Sequence, residues 1–183
     1  TGVERLQKYA GMFGFDSTSG IELPESKPQI SDADSIRTAI GQGTNNFTAT
    51  QLARYVTTLA NSGTCYDLSL VSKIKDIDGN VVYKNEHKVH NQLDFPAEQW
   101  NVVRQGMRQV VSVHTSSSAL INQINVAVAG KTGTAQQSEA RPNHALFVSF
   151  APYENPEVTV TSVIPFGTKV VINGQVYVAE DRG

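Results

Sequence analysis

Residues 126–136 read Val126-Ala127-Val128-Ala129-Gly130-Lys131-Thr132-Gly133-Thr134-Ala135-Gln136. Val126 to Gly130 is a short apolar run, long enough for one buried strand. It ends in Lys131-Thr132-Gly133-Thr134, which places a cation, two hydroxyls and a glycine at a strand's edge. A site that binds a carboxylate and polarises a carbonyl needs such groups. Lys131 supplies positive charge, Thr132 and Thr134 donate hydrogen bonds, and Gly133 lets an extended substrate approach the backbone. A backbone N–H just after the glycine is placed to stabilise an oxyanion. K-T-G alone is a chance-level match, and the bland reading of Lys131 is an ordinary strand-end lysine. The flanking sequence decides between the two.

Outward from this stretch, the patterning gives an alternation of helices and short strands. Val3 to Phe13 has apolar residues at 3, 6, 9, 10 and 13, a helical spacing. Asp16 to Asp34 is rich in Ser, Gly, Pro and Asp and reads as loop. Thr48 to Asn61 carries Leu52, Ala53, Val56, Leu59 and Ala60 on one helical face, with Thr48 as N-cap and Gly63 as stop. Asp78-Gly79 predicts a hairpin turn between β-rich runs over 70–84. Pro96 to Val113 predicts a long helix with Pro96 in its first turn and a stripe of Trp100, Val103, Met107, Val110 and Val111. Thr115 to Ile121 predicts one short helical turn. Three strands follow, over 126–135, 144–151 and 157–164. The last two are joined through Tyr153-Glu154-Asn155-Pro156 as an antiparallel hairpin.

The segments around K-T-G carry a family resemblance. Upstream lie Ile40-Gly41-Gln42-Gly43, then Thr48-Ala49-Thr50-Gln51-Leu52-Ala53, then Leu59-Ala60-Asn61-Ser62-Gly63. Downstream lies His144-Ala145-Leu146-Phe147-Val148-Ser149-Phe150-Ala151-Pro152. In order and spacing these resemble the C-terminal half of the transpeptidase domain of class B penicillin-binding proteins. Leu6 to Leu23 looks like the helix and loop after that family's second catalytic motif. The resemblance covers residues 1–167.

The resemblance implies an α+β fold: a partial β-lactamase/transpeptidase-like domain, with helices packed on an antiparallel sheet. It implies a single partial domain over 1–183, mainly helical over 1–125, sheet over 126–167, and an atypical tail over 168–183. Of the family's three motifs, S-x-x-K, S-x-N and K-T/S-G, only the third is convincing here. The chain therefore reads as a segment whose N-terminal strands, nucleophile and membrane anchor lie upstream. The implied parent is an extracytoplasmic peptidoglycan D,D-transpeptidase of bacteria that also binds penicillin and other β-lactams. Its upstream serine forms an acyl-enzyme with the D-Ala-D-Ala end of a stem peptide. By motif, Lys131, Thr132 and Gly133 are the implied catalytic positions, and Thr132 and Thr134 the implied substrate-binding ones. The Thr134 N–H would be half of the oxyanion hole. No metal or organic cofactor is implied. A β-lactam-sensing receptor domain of the same fold is the alternative. An unrelated binding module with a chance K-T-G is a third reading, disfavoured by the ordered segments.

Composition bounds these readings. The chain has 183 residues, 39% hydrophobic content and a formal net charge of −2. That suits a domain or a large part of one and gives no basic footprint for nucleic acid. One cysteine, Cys65, excludes an internal disulfide framework and a cysteine-based zinc site. No apolar stretch approaches the ~18 residues of a membrane helix.

Two literal motif matches are decoys. Ser72-Lys73-Ile74-Lys75 matches S-x-x-K, and Tyr83-Lys84-Asn85 matches Y-x-N. On a strand, positions three apart point to opposite faces, whereas a nucleophile and its base must share a hydrogen bond. Gly41 and Gly43 read as structural brackets of a tight turn. His87, His90, His114 and His144 show no metal spacing, with His87 and His90 in a polar connector. Ser116-Ser117-Ser118 reads as a helix cap.

The tail departs from the resemblance. Asn173-Gly174 favours a two-residue turn with positive φ, between β-branched and aromatic flanks. A β-hairpin is expected, with strands near 169–172 and 175–178. It is expected to cover the exposed edge of the 157–164 strand, within the chain or across a dimer.

Overall fold

The computed structural model describes residues 2–31, 35–113, 121–136, 140, 142–172 and 174–179. Two compact units emerge, one over residues 1–58 and 62–94, the other over 59–61 and 95–183.

The first unit opens with helix α1 (Gly2–Met12), stopped at Gly14, whose φ is +83°. The following segment is loop, as its composition predicts, and leads to a short helix α2 (Ser35–Ala39) that the sequence does not announce. Helix α3 (Ala49–Ala60) begins at the expected cap. The Gln51 N–H donates to Thr48 Oγ1 at 3.2 Å, and the Thr48 N–H donates to Gln51 Oε1 at 2.8 Å. This reciprocal pair satisfies two helix-end groups. Val56, Leu59 and Ala60 of its apolar face are buried, but so are the polar Gln51, Arg54 and Thr58, while Leu52 and Ala53 are half-buried. At the far end Ser62 takes the left-handed conformation with φ +62°, and the Gly63 N–H reaches Thr58 O at 2.9 Å.

Strand β1 (Thr64–Tyr66) pairs antiparallel with β4 (Val89–Gln92), and β2 (Lys73–Lys75) with β3 (Val81–Lys84). The β2–β3 connection is longer than a two-residue turn. Asp76 Oδ1 accepts from the N–H groups of Asp78 and Asn80 at 3.0 and 2.9 Å, and Gly79 sits at φ +88°. Every residue of this hairpin is exposed, and Lys73 stands directly opposite Lys84. Lysines on a bare edge discourage pairing with other chains. His90 lies in β4, not in a connector.

The second unit holds helix α4 (Ala97–Ser112) and strands β5 (Ala129–Ala135), β6 (His144–Ala151) and β7 (Val158–Pro165). Pro96 is the N-cap of α4, one position earlier than expected. Trp100, Met107 and Val111 are buried, whereas Val103 is 45% exposed and leaves the predicted stripe. The antiparallel sheet has the order β5-β6-β7, with Ala129 paired to Phe150 and Ala151 to Val158. β5 begins at Ala129 instead of Val126; just before it, where the register brings Pro152 with no N–H to give, Ala127 O accepts from the Tyr153 N–H at 2.8 Å. The core of this unit includes Val128, Ala129 and Phe150. The short turn expected at 115–121 and the serine cap fall mainly outside the described residues.

The tail forms the expected hairpin, β8 (Lys169–Ile172) and β9 (Gln175–Val178), with Gly174 at φ +79°. Among the described residues it does not pair with the β7 edge within the chain. β8 and β9 form their own two-stranded sheet. A turn at Phe166-Gly167, closed by the Thr168 N–H on Pro165 O at 3.1 Å, separates them from β7. The Gly167 N–H then bonds Ala179 O, closing the hairpin's base on itself.

Candidate functional site

Lys131, Thr132, Gly133 and Thr134 all lie on β5, in register with Val148, Phe147, Leu146 and Ala145 of β6. Alternation puts Lys131 and Gly133 on one face and Thr132 and Thr134 on the other. The cation and the hydroxyls therefore do not share a face. β5 ends the sheet order, so among the described residues its outer edge carries no strand. That edge carries the Lys131 cation and the Thr132 and Thr134 hydroxyls along one strand.

Lys131 is exposed, and its Nζ donates to Thr132 O at 2.6 Å. Thr132 and Gly133 are half-buried, and Thr134 is exposed. The two glycines of the stretch differ in kind. A Cβ on Gly130 would stand 2.7 Å from Phe147 Cζ and 3.0 Å from Val148 O, so packing demands that glycine. A Cβ on Gly133 would meet only the Leu146 side chain, at 3.5 and 3.8 Å, which is ordinary contact. Among the described residues, packing thus does not explain Gly133.

The first unit contributes no second copy of this chemistry. Ser72 and Lys75 lie on the exposed β2–β3 hairpin, Ser72 O accepting from the Asn85 N–H at 2.9 Å and Tyr83 bonding Asn85. Both decoys sit on the exposed hairpin surface. Gly41 and Gly43 take φ of +81° and +97°, and a Cβ on Gly43 would lie 2.7 Å from Ser31 Oγ. Both serve the turn after α2. His144 opens β6, opposite Ala135 and Pro165. Among the described residues no group of three His, Cys, Asp or Glu side chains is placed to hold a metal. Cys65 is buried, and burial pushes its thiol above the ordinary value.

Two polar networks were invisible in the sequence. Burial opposes the Glu25 charge, but hydrogen bonds from Thr50, Ser19 and Gly20 outweigh it and hold the carboxyl below its ordinary value. The fully buried Arg54 donates to the carbonyls of Gly14, Ser17 (3.0 Å) and Thr18 (2.8 Å) and faces Asp67 at 3.7 Å. Asp67 also binds His90 Nδ1 at 3.0 Å, and His90 Nε2 lies 3.4 Å from Ser17 Oγ. The order Ser17, His90, Asp67 matches a nucleophile relay in residue type alone. Arg54 donates to Ser17 Oγ at 3.0 Å, and Lys88 shares Asp67 at 3.1 Å, so the cluster is a brace for the loop after α1. His90 lies 23 residues from Asp67 and 73 from Ser17, separations that no local pattern reveals.

Comparison with known proteins gives concordant results. Residues 1–177 match the family described as Transpeptidase, the penicillin binding protein transpeptidase domain. The match runs past residue 167 and into the terminal hairpin, so the family match includes most of the tail that departs from the expected resemblance. Penicillin-binding protein 2B of Streptococcus pneumoniae is 30% identical over 184 residues, covering 92% of this chain and 27% of that protein. Peptidoglycan D,D-transpeptidase MrdA of Haemophilus influenzae is 29% identical over 196 residues, covering 89% of this chain and 30% of that protein. Among solved structures, penicillin-binding protein 2B from S. pneumoniae strain R6 superposes with a TM-score of 0.75 at 30% identity, over 89% of this chain and 29% of that one. The imipenem acyl-enzyme complex of penicillin-binding protein A from Mycobacterium tuberculosis gives 0.76 at 25% identity, over 88% and 37%. The chain thus spans under a third of the length of these two curated relatives. The ordered matches remove the reading of an unrelated module with a chance K-T-G.

Proposed function

The chain belongs to the penicillin binding protein transpeptidase domain family, and from that membership we propose that it is the C-terminal segment of a peptidoglycan D,D-transpeptidase, with β5 as the strand that receives the acyl donor. The observation that carries the reading is the outer edge of β5, which among the described residues pairs with no strand and bears Lys131, Thr132 and Thr134 beside a glycine that packing against those residues does not require. An extended peptide adds to such an edge through main-chain hydrogen bonds.

In this reading the donor is a stem peptide ending in D-Ala-D-Ala. A serine of the longer protein attacks the penultimate D-Ala carbonyl. Collapse of the adduct breaks the peptide bond and releases the terminal D-Ala, whose amine takes up the serine proton. An amine of a neighbouring stem peptide then displaces the serine. Thr132 and Thr134 bind the substrate carboxylate. Lys131 supplies the positive field and assists proton transfer, and the Thr134 N–H faces the developing oxyanion. Such preorganised donors act on charge that appears only in the transition state. β-Lactams enter the same site as mimics of the D-Ala-D-Ala end. The reaction places the domain on the extracytoplasmic side of a bacterial membrane. Among the described residues no helix is long and apolar enough to cross a membrane.

The test uses the full-length protein carrying this segment, with a pentapeptide donor and an amine acceptor. Release of D-Ala coupled to formation of the cross-linked product supports the reading. Covalent penicillin binding without D-Ala release would favour a β-lactam sensor of the same fold.

A further inference from the structure

The K-T-G strand must be held at a fixed height and tilt for its groups to meet a reacting carbonyl, and two arginines of α4 converge on the point where that strand starts. Arg104 and Arg108 are four residues apart, hence on one face of the helix. Arg108 donates from one guanidinium nitrogen to Val128 O at 3.2 Å and from the other to Asn122 Oδ1 at 2.9 Å. Arg104 donates to Tyr153 O at 2.7 Å and lies over the Phe150 and Tyr153 rings, 5.5 and 5.7 Å from their centroids. The Tyr153 N–H in turn donates to Ala127 O at 2.8 Å. The carbonyls of residues 127 and 128, the last two before β5, are therefore both bonded from outside the β5–β6 ladder. One is held by Arg108 directly, and the other by the Tyr153 backbone that Arg104 secures.

We propose that Arg108 is a positioning residue for the reaction, setting with Arg104 the register and tilt at which Lys131, Thr132 and Gly133 meet the acyl donor. Val128 lies three residues before Lys131, about 10 Å along an extended chain. Arg108 touches neither donor nor acceptor and acts only through the strand. A lysine cannot replace it fully, because the planar fork joins Val128 and Asn122 at once, while an ammonium is a single point of charge. Small displacements of reacting groups cost about 100-fold per ångström. Arg108→Ala is accordingly expected to slow the acylation step 10- to 100-fold, by the same principle, while the affinity of the non-covalent penicillin complex stays within about twofold.

This inference rests on the reading of β5 as the acyl-donor strand, so the experiment is a double-mutant cycle between Arg108→Ala and Lys131→Ala in the full-length protein. Stopped-flow with a fluorescent penicillin separates the dissociation constant of the non-covalent complex from the acylation rate constant. The proposal expects both single variants to slow acylation and the Arg108→Ala effect to shrink severalfold in the Lys131→Ala background. Normal acylation in Lys131→Ala would remove the β5 reading and this proposal with it. A slow Lys131→Ala beside an unaffected Arg108→Ala would overturn the positioning role alone. So would an Arg108→Ala loss of equal size in both backgrounds. If Arg108→Ala does not fold, Arg108→Lys runs through the same cycle. It keeps one donor and is expected to lose roughly 10-fold in the acylation step, with the same outcomes deciding.

Discussion

The Phe147 ring lies over Gly130 so closely that a Cβ there would stand 2.7 Å from Phe147 Cζ. Phe147 pairs with Thr132, not with Gly130, so its ring reaches back along β5 into space that only a glycine leaves free. Gly133, three residues on, has no such neighbour among the described residues. Gly130→Ala should therefore destabilise the domain by about 1–3 kcal/mol, the cost of overpacking. Gly133→Ala should leave the melting temperature nearly unchanged and impair acylation. Thermal melts of both variants check this, and equal losses of stability would contradict it.

Arg54 is a second structural centre. Its guanidinium serves the Gly14, Ser17 and Thr18 carbonyls and faces Asp67. Arg54→Ala strands the buried carbonyl acceptors while Asp67 keeps Lys88 and His90, and each polar group left buried without a partner costs about 1–3 kcal/mol. Chemical denaturation should show that loss. A change below about 1 kcal/mol, the scale of an exposed pair, would mean that the cluster does not brace the loop.

The Glu25 network gives a pH dependence with a definite sign. Its folded pKa is depressed, so its contribution is present above the unfolded value of about 4.3 and is lost as pH falls through the folded one. Wild type should lose stability over that acid window, and Glu25→Gln should lose less across it while being less stable at neutral pH. Melting curves from neutral pH to pH 3 decide this. Parallel slopes for the two proteins would contradict it.

What the sequence revealed and concealed divides along locality. The capping pair of Thr48 and Gln51 is three residues apart, and the terminal hairpin is spelled by a turn dipeptide between β-branched flanks. The K-T-G strand was legible as a strand because its apolar run and the residues after it are contiguous. Val103 was misplaced in the α4 stripe because the 3.6-residue pattern cannot tell that Arg104, beside it, turns inward over Phe150 and Tyr153. Arg54 and Glu25 were missed because their partners lie far along the chain, up to 40 residues away for Arg54 and Gly14. The tail hairpin was foreseen, but among the described residues it does not pair with β7 within the chain, because the Phe166-Gly167 turn is a local feature with a non-local consequence.

The decoy S-x-x-K supplies a further prediction. The 183-residue chain by itself should form no covalent adduct with a fluorescent penicillin, since Ser72 and Lys75 sit on an exposed hairpin. Intact-mass analysis after incubation checks this. A stoichiometric adduct on Ser72 would overturn its dismissal.

The central claim is that Lys131 serves chemistry and not folding. Its most direct test is the second-order rate constant for acylation by penicillin of the full-length protein and its Lys131→Ala variant, measured beside their melting temperatures. Lys131 is exposed at the strand edge, so its truncation opens no cavity. Loss of one preorganised electrostatic group costs about 10²–10³ in rate. The account predicts a loss of that order with an unchanged melting temperature, and near-normal acylation with a lowered melting temperature would contradict it.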